Sequence, residues 1–560
     1  MPSQTIQTGI LSPSSLRGLF IYACGLSACM AATTEPYSYA NQAARLEQAI
    51  AQQPNIGHAK NIILFLGDGM GVSTITASRI LEGQQRGETG EENYLSWESF
   101  PNTAMIKVYN SNQQTPDSAG TMSAIMTGYK TKAGTFGYDD QIVRSQYKSG
   151  EDFGGSAKKL ETLLERFEKA GKSTGLVTTA RITHATPAAC YSHSPERNWE
   201  QDADVRNEHE DAIQGGFKDV ALQLIEFPYG DGLEVAMGGG RLGFIPNTQP
   251  DHETPSIKGK RQDGRNLINE WLQKPGSSFV YDKQGFEAVE PDQTKKLLAL
   301  FHGSHMQYEV DRSKPIYPEE PSLTEMGLKA LELLRQNEKG FFLMIESGRI
   351  DHAHHASNAY RALNETVELS NAVKAVRERL TDQELKDTLI IVTADHSHTF
   401  TIAGYPTRGN PILGLVVNND DAGTPHNSPA KDALGLPYTT LGYVNGGGYT
   451  GPMVNIETQE VSNGGQHYHA EKGGPLSFFN KTWKYINVPR EPRPDLTEVD
   501  VECEHYIQEG AIPLGSETHG GEDVVVYATG PMAHLFRGVQ EQNYIYHVMR
   551  YASDAKNFSK

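Results

Sequence analysis

Cysteine is scarce in this sequence of 560 residues, which contains Cys24, Cys29, Cys190 and Cys503. Four thiols are too few for a disulfide-rich scaffold or for a zinc cluster held by several thiolates. Cys190 and Cys503 could pair, but the interpretation favoured here is two buried thiols. Any metal site must therefore use histidine and carboxylate ligands.

Positive charge is also in short supply. The 50 Lys and Arg residues are outnumbered by 69 Asp and Glu residues, which gives a net charge of -19. This balance argues against nucleic acid as a partner and against nonspecific attraction to an anionic membrane. An anionic substrate would need a locally positive site. The hydrophobic share of 37% excludes disorder as the main state.

Long apolar runs are absent after the first 30 residues, so no membrane-spanning helix is predicted there. Before that point, Arg17 precedes a short apolar run at 19–24. We interpret residues 1–28 as an export signal, and the sequence before Cys29 favours cleavage of the lipoprotein type. Cys29 would then carry a lipid that tethers a periplasmic or cell-surface protein; cleavage after Ala32 and a plain buried helix are the alternatives.

Short apolar runs of strand length recur along the chain, at 62–66, 175–179, 341–345, 388–393 and 523–527. Amphipathic helical patterns separate them, such as Leu160 to Phe167, and Ser322 with Glu325 forms a capping box. This alternation predicts an α/β fold, with a large and mainly parallel central sheet that has helices on both faces.

The domain organisation follows from composition. We predict that residues 36–57 form a polar N-terminal helix. We predict that residues 58–400 and 515–550 form the α/β catalytic domain. Residues 401–514 are interpreted as an irregular insertion, because the stretch 401–475 holds 14 glycines and has no helical period.

Acidic residues and histidines follow several of the predicted strands. They are Asp68, Glu346, Asp351, His355, Asp395, His396 and, ahead of the last strand, His519. Open α/β sheets bind ligands at the carboxyl ends of their strands. Each residue alone would be read as a solvated surface group, but together they predict a metal site. Imidazole and carboxylate ligands suit zinc and, where oxygen dominates, magnesium.

A nucleophile is available at Ser118, where Asp117 and Ser118 open a predicted helix. A helix N-terminus favours negative charge on a serine oxygen. The alternative is an ordinary N-cap.

The motifs that carry these residues resemble those of the alkaline phosphatases, in the family's order and closer to the animal tissue-type enzymes than to the enteric bacterial form. They begin at Gly67, Asp117, His184, His193, Glu346, Thr393 and Glu517. The resemblance implies hydrolysis of phosphate monoesters through a phosphoserine at a site with two zinc ions and one magnesium ion.

The resemblance also implies a role for each site residue. Ser118 is the nucleophile and Arg197 clamps the phosphate. One zinc ion takes Asp351, His355 and His519. The second takes Asp68, Asp395, His396 and the oxygen of Ser118. Magnesium takes Asp68, Thr186 and Glu346, with His184 and His352 in the outer shell. Three divalent ions and Arg197 supply +7 against -5 from four carboxylates and a Ser118 alkoxide, so a phosphate dianion would neutralise the remaining +2.

The resemblance further implies a homodimer, a crown-like insertion at 401–514, and contact between the 36–57 helix and the partner. A peripheral calcium ion of the animal enzymes fits Glu253 and Phe301, but His302 stands where a glutamate is expected, which argues against that site. Sulfatases are a rival in the same superfamily, but no cysteine here begins their Cys-x-Pro-x-Arg pattern. Phosphodiesterases usually present threonine and lack the arginine clamp. A non-catalytic phosphate-binding lipoprotein is the rival outside enzymes.

Overall fold

A computed structural model describes residues 37–146, 156–450 and 493–554, and the backbone of three short strands between 452 and 485. The predicted export signal at 1–28 and the lipidation site at Cys29 lie outside the described residues and stay predictions.

The described residues form helices and strands in alternation. The helices are α1 (Tyr39–Ala51), α2 (Val72–Gln85), α3 (Ser118–Thr127), α4 (Leu163–Lys169), α5 (Ala185–Tyr191), α6 (Asp202–Gln214), α7 (Val220–Ile225), α8 (Leu267–Trp271), α9 (Lys283–Glu287), α10 (Glu309–Arg312), α11 (Leu323–Leu334), α12 (Arg349–His355), α13 (Ala359–Arg379), α14 (Asp382–Asp387) and α15 (Tyr544–Asp554). The strands are β1 (Asn61–Gly67), β2 (Asn102–Lys107), β3 (Ser173–Arg181), β4 (Val235–Gly239), β5 (Ser277–Val280), β6 (Lys296–Leu300), β7 (Phe341–Ser347), β8 (Thr388–Ala394), β9 (Ser397–His398), β10 (Phe400–Ile402), β11 (Leu441–Gly446), β12 (Pro452–Asn455), β13 (Val461–Asn463), β14 (Trp483–Tyr485), β15 (Gly510–Pro513), β16 (His519–Gly520), β17 (Val524–Thr529) and β18 (Val539–Glu541).

A central sheet of ten strands organises the molecule, in the order β18-β2-β17-β8-β1-β7-β3-β4-β6-β5. Its ladders are parallel except at β17, which runs antiparallel to both of its neighbours. Every residue of β1, β7 and β8 is buried. Continuous apolar runs are what strands covered on both faces require. The predicted mainly parallel α/β sheet is confirmed.

All five strands predicted from apolar runs are present. Among the strands that were not predicted, β2 alternates buried and partly exposed residues and β5 is half-buried throughout, whereas β4 and β6 are fully buried but only five residues long. Local pattern carries little signal for such strands.

Helix starts follow their capping residues. Ser322 and Glu325 form the predicted capping box at α11. Thr162 and Glu165 form another at α4, so Leu160 precedes that helix instead of lying in it. Gly340 has a φ of +101° in the turn before β7, where a Cβ would lie 2.2 Å from the carbonyl oxygen of Lys60.

The described part of the 401–514 insertion is built from strands. β10, β11 and β15 form one small sheet, and β12, β13 and β14 form another. The predicted irregular segment thus contains two small sheets in its described part.

The segment up to Gln53 forms a unit separate from residues 54–560. In it, α1 begins after Ser38, whose hydroxyl accepts a hydrogen bond from the Asn41 amide. Its Tyr39, Leu46 and Ile50 side chains are exposed.

Within the described ranges, no helix has the length and apolar content needed to cross a bilayer. Cys190 is buried and Cys503 is half-buried, and they do not form a disulfide with each other.

Candidate active site

The predicted site residues meet where four neighbouring strands of the sheet, β8, β1, β7 and β3, end together. Gly67 lies beside Ser347 on one side and Ala394 on the other. Asp68, Glu346 and Asp395 are therefore level with one another, and all three are fully buried. The strand register, more than any loop, brings these carboxylates to one place.

A first cluster contains three of the predicted ligands, Asp351, His355 and His519. Oδ1 of Asp351 lies 3.4 Å from Nε2 of His355 and 3.2 Å from Nε2 of His519. The two Nε2 atoms are 3.1 Å apart. Asp351 and His355 are four residues apart on α12, which places them on one face, as the spacing predicted.

Backbone carbonyl oxygens fix the ring orientations of His355, His519 and His396. Nδ1 of His355 donates to the carbonyl oxygen of Glu517 at 2.6 Å, and Nδ1 of His519 donates to that of Pro116 at 2.8 Å. Nδ1 of His396 lies 3.2 Å from the carbonyl oxygen of Ser397. A proton held on Nδ1 leaves the lone pair on Nε2, which is the tautomer that binds a metal.

A second cluster holds Asp68, Asp395, His396 and Ser118. Nε2 of His396 lies 3.3 Å from Oδ2 of Asp395 and 3.5 Å from Oδ1 of Asp68. Asp68, Asp351 and His396 each offer an atom within 4.8 Å of the others. The two clusters therefore share one pocket.

Ser118 is the first residue of α3. Its Oγ lies 3.1 Å from Nε2 of His396 and 3.5 Å from Oδ1 of Asp68. Asp117 is the actual N-cap and accepts from the Gly120 amide at 3.2 Å. The capping role thus belongs to the neighbour, which leaves the Ser118 hydroxyl directed at the clusters.

A third group is marked by buried oxygens. Oδ2 of Asp68, Oγ1 of Thr186 and Oε1 of Glu346 are buried without a hydrogen-bond partner among the described residues. These are the three predicted magnesium ligands. Leaving such atoms unsatisfied is costly, and an oxygen-only donor set is the kind that magnesium prefers.

Arg197 approaches the pocket from the loop after α5. Nη1 donates to Oδ2 of Asp117 at 3.0 Å, and Nη2 donates to Nε2 of His184 at 3.2 Å. The ring centroids of His184 and His352 are 5.4 Å apart, so the two predicted outer-shell histidines contact each other, and His184 also contacts this guanidinium.

The buried carboxylates repel one another electrostatically. Burial raises the pKa of Asp68 well above its usual value, and the charges of Asp395 and Asp351 raise it further. Burial also raises the pKa of Glu346 to about 8, against the lowering effect of the Thr178 hydroxyl. So many buried acids in one pocket require cations to balance their charge. The donor set fits two zinc ions and one magnesium ion.

Sequence reasoning missed His398 and Glu517. Nε2 of His398 lies 2.9 Å from Oδ1 of Asp351, and its Nδ1 lies 2.6 Å from Oε2 of Glu517. Burial opposes its protonation, but these two carboxylates raise the pKa of His398 to about 10. The signal was its position two residues after His396 on an extended segment, which directs both side chains to one side.

The residues of the doubted calcium site are bound otherwise. The Glu253 carboxylate accepts from Nη2 of Arg241 at 2.8 Å. Nδ1 of His302 accepts from the Ser304 amide at 3.0 Å. Phe301 is fully buried. The site stays a doubtful prediction.

Comparison with known proteins identifies a family from the sequence and a shared fold from the structure. A family model described as alkaline phosphatase matches residues 59–555. The alkaline phosphatase of Gadus morhua is 40% identical over 517 residues, 91% of this chain and 94% of that protein. The human tissue-nonspecific isozyme is 40% identical over 509 residues, 90% and 85% of the two chains. The solved alkaline phosphatase of Thermus thermophilus is 22% identical, with a TM-score of 0.59 over 90% of this chain and 93% of that one. The greater similarity to animal sequences is as predicted.

Proposed function

The chain belongs to the alkaline phosphatase family and hydrolyses phosphate monoesters, and from that premise we propose that it does so through a phosphoserine at Ser118. The proposed site holds two zinc ions and one magnesium ion. The observation that carries the proposal is the Ser118 hydroxyl, which faces His396 and Asp68 from the first turn of α3.

The metal ligands are proposed as the resemblance implies them. Asp351, His355 and His519 would hold one zinc ion, Asp68, Asp395 and His396 the other, and Asp68, Thr186 and Glu346 the magnesium ion. When bound, the ions supply positive charge and Lewis acidity at the phosphoryl group. His184 and His352 would surround the magnesium ligands.

The residues of the chain bind and orient the ester. The planar guanidinium of Arg197 would hold two phosphate oxygens, and Asp117 fixes its position. The bond from Ser118 Oγ to phosphorus would form as the ester oxygen leaves. A water oxygen would then replace Ser118 Oγ, which releases inorganic phosphate and restores the serine. The first-turn amides of α3 favour the negative charge on Ser118.

The first test is p-nitrophenyl phosphate hydrolysis at alkaline pH by the full chain, before chelation, after chelation, and after zinc and magnesium are restored. We expect activity to disappear and return with the metals. Ser118→Ala should lose about a thousandfold or more of the rate, whereas the exposed Ser99→Ala should not. Acid quenching during turnover should trap phosphate on the peptide that contains Ser118.

Full activity in Ser118→Ala, or activity that survives complete metal removal, would refute the mechanism. A trapped phosphate on a residue other than Ser118 would show that this other residue is the nucleophile.

We also propose the homodimer that the resemblance implies. Sedimentation at micromolar concentration should give twice the mass of one chain; a fully active monomer would contradict it.

A further inference from the structure

A cavity of about 610 Å³ lies beside α10, α12 and the loop that follows β6. Ile316 lines it where the chain is most exposed, and Arg349, Tyr308, His302 and Gln307 line its deeper part. None of Ser118, Arg197 and the proposed metal ligands lines it. The cavity therefore lies outside the proposed metal ligands, although the ring of His305 in its lining contacts the rings of His184 and His352.

Arg349 is the unusual residue of this cavity. It is 7% exposed, and its Nε is buried without a hydrogen-bond partner in the described part of the chain. Its guanidinium lies over the ring of Tyr308, with Cζ 3.7 Å from the ring centroid. Stacking fixes the plane of the fork but leaves its N–H donors free to bind an anion.

The other cations of the cavity are already paired. Nζ of Lys314 lies 2.6 Å from Oδ1 of Asp311 and 2.6 Å from Oε1 of Glu504. Nε of Arg361 donates to Oδ2 of Asp311 at 2.9 Å. The two acids of the lining are thus committed to Lys314 and Arg361, and neither bonds Arg349.

Two buried acids outside the lining, Glu320 and Glu365, do not pair with Arg349. Burial raises their pKa values to about 8, although the charge of Arg349 lowers both. Their carboxylates accept from the backbone amides of Gln307 and Glu309, and no ion pair joins either of them to Arg349 in the described part of the chain. A nearly buried guanidinium without a counter-ion is costly, and an anion in the cavity would relieve that cost.

Neutral polar groups accompany the charge. The Ser304 amide donates to Nδ1 of His302, which leaves the proton of this neutral imidazole on Nε2. Nε2 of His302 lies 3.5 Å from the side-chain amide nitrogen of Gln307, so these two groups already contact each other, and Arg349 is the group that carries the proposal.

We propose that this cavity binds the oxyanion group of a small organic molecule, a carboxylate or a phosphate, with Arg349 as its charged anchor. The volume is that of a metabolite-sized ligand. The proposal does not depend on the proposed catalytic mechanism.

The test uses two bromine-labelled probes, 4-bromobenzoate and 4-bromophenylphosphonate, on the full-length metal-loaded protein with saturating inorganic phosphate present. We expect at least one probe to bind with one site per chain in calorimetry, and anomalous scattering from crystals to place its bromine beside Arg349. The probe that binds distinguishes carboxylate from phosphate. No binding by either probe, or bromine only beside Ser118, would overturn the proposal.

Two pairs of variants test whether the charge around the cavity, and not a loss of folding, determines probe binding. Arg349→Gln should weaken binding by about tenfold or more, whereas Arg379→Gln, on the exposed end of α13, should bind as the parent does. Ile316 is 75% exposed, so its variants should fold. Ile316→Glu should weaken binding and Ile316→Lys should tighten it, each by about two- to threefold. Equal affinity in the two Ile316 variants would refute an anion site even if Arg349→Gln does not fold.

Discussion

At the scale of single residues, the phosphate clamp depends on how Arg197 is held. Asp117 caps α3 through one oxygen and holds Arg197 through the other, and the Gly134 amide also donates to Oδ1 of Asp117 at 2.9 Å. One carboxylate thus couples the first turn of the nucleophile's helix to the clamp.

Arg197→Lys tests the geometry of this clamp, because it keeps the charge and removes the planar fork. A lysine offers one point of contact in place of two parallel donors, so we expect kcat/KM for p-nitrophenyl phosphate to fall by about ten- to a hundredfold.

The matched control is Arg335→Lys. Its guanidinium binds Glu384 through two nitrogens and so connects the end of α11 to α14, away from the metal ligands. The kcat/KM of this variant should not change. A clamp variant with the parent's kcat/KM would show that charge alone is sufficient.

Sequence reasoning succeeded for residues that stand in recognisable motifs. Asp68, Ser118, Asp351 and His519 come together as the strand-end pattern predicted. It failed for residues that act through another side chain. His398 touches Asp351, and Glu517 touches His398, across 119 positions of sequence. Contacts between such distant positions depend on tertiary packing, which no local spacing encodes.

At the scale of elements, the short helix α12 carries Asp351, His352, His354 and His355 in seven residues. His354 faces away from the metal cluster. Its Nε2 lies 2.9 Å from Oγ1 of Thr74 on α2, and its Nδ1 lies 2.7 Å from the hydroxyl of Tyr443 on β11. The ligand helix is therefore attached to α2 and to the insertion's sheet.

Tyr443→Phe should loosen this attachment. The variant leaves Nδ1 of the fully buried His354 without its partner, and we expect the free energy of unfolding to fall by about 1–3 kcal/mol. Urea unfolding of the metal-loaded protein measures the loss.

Tyr405→Phe is the control, because Tyr405 lies in the same insertion and is 88% exposed. The two variants should differ clearly. A Tyr443→Phe protein as stable as the control would show that the hydroxyl contributes nothing to holding α12.

At the scale of the whole molecule, buried acids link stability to alkaline pH. Burial and the charge of Glu234 raise the pKa of Glu168 to about 8, and burial raises the pKa of Glu234 to about 7 despite Lys296. The Thr174 hydroxyl donates to Glu168, and the Thr174 amide donates to Glu234. The acids lie together at the start of β3, opposite the strand ends that carry the site.

The direction of the pH effect follows from the raised pKa of Glu168. A folded-state pKa above the unfolded value means that the protonated acid stabilises the fold below about pH 4.5, and that this contribution is lost as pH rises through about 8. Thermal unfolding should therefore show the parent's Tm falling between about pH 5 and pH 8 and levelling off above that.

Glu168→Gln keeps the neutral shape and cannot ionise, so its Tm should fall less over the same range. The exposed Glu338→Gln should follow the parent. Parallel curves for all three proteins would mean that Glu168 does not set the alkaline limit of stability.

The whole-molecule predictions succeeded for strands that stand out as long apolar runs. These gave the mainly parallel sheet, but β4, which ends in two glycines, and the five-residue β6 were missed although both are fully buried. The half-buried β5, the alternating β2 and the short strands of the insertion carry no such run.

The two-stranded ladder between β9 and β16 joins the two ends of the insertion. It pairs His519 with His398 and Gly520 with Ser397, so the chain leaves the pocket and returns to it side by side. The insertion also contacts the rest of the molecule, since Tyr443 bonds His354 and Glu504 pairs with Lys314. A protein engineer who replaces the insertion as a cassette would therefore need to graft these contacts together with the ladder to keep the ligand helix in place.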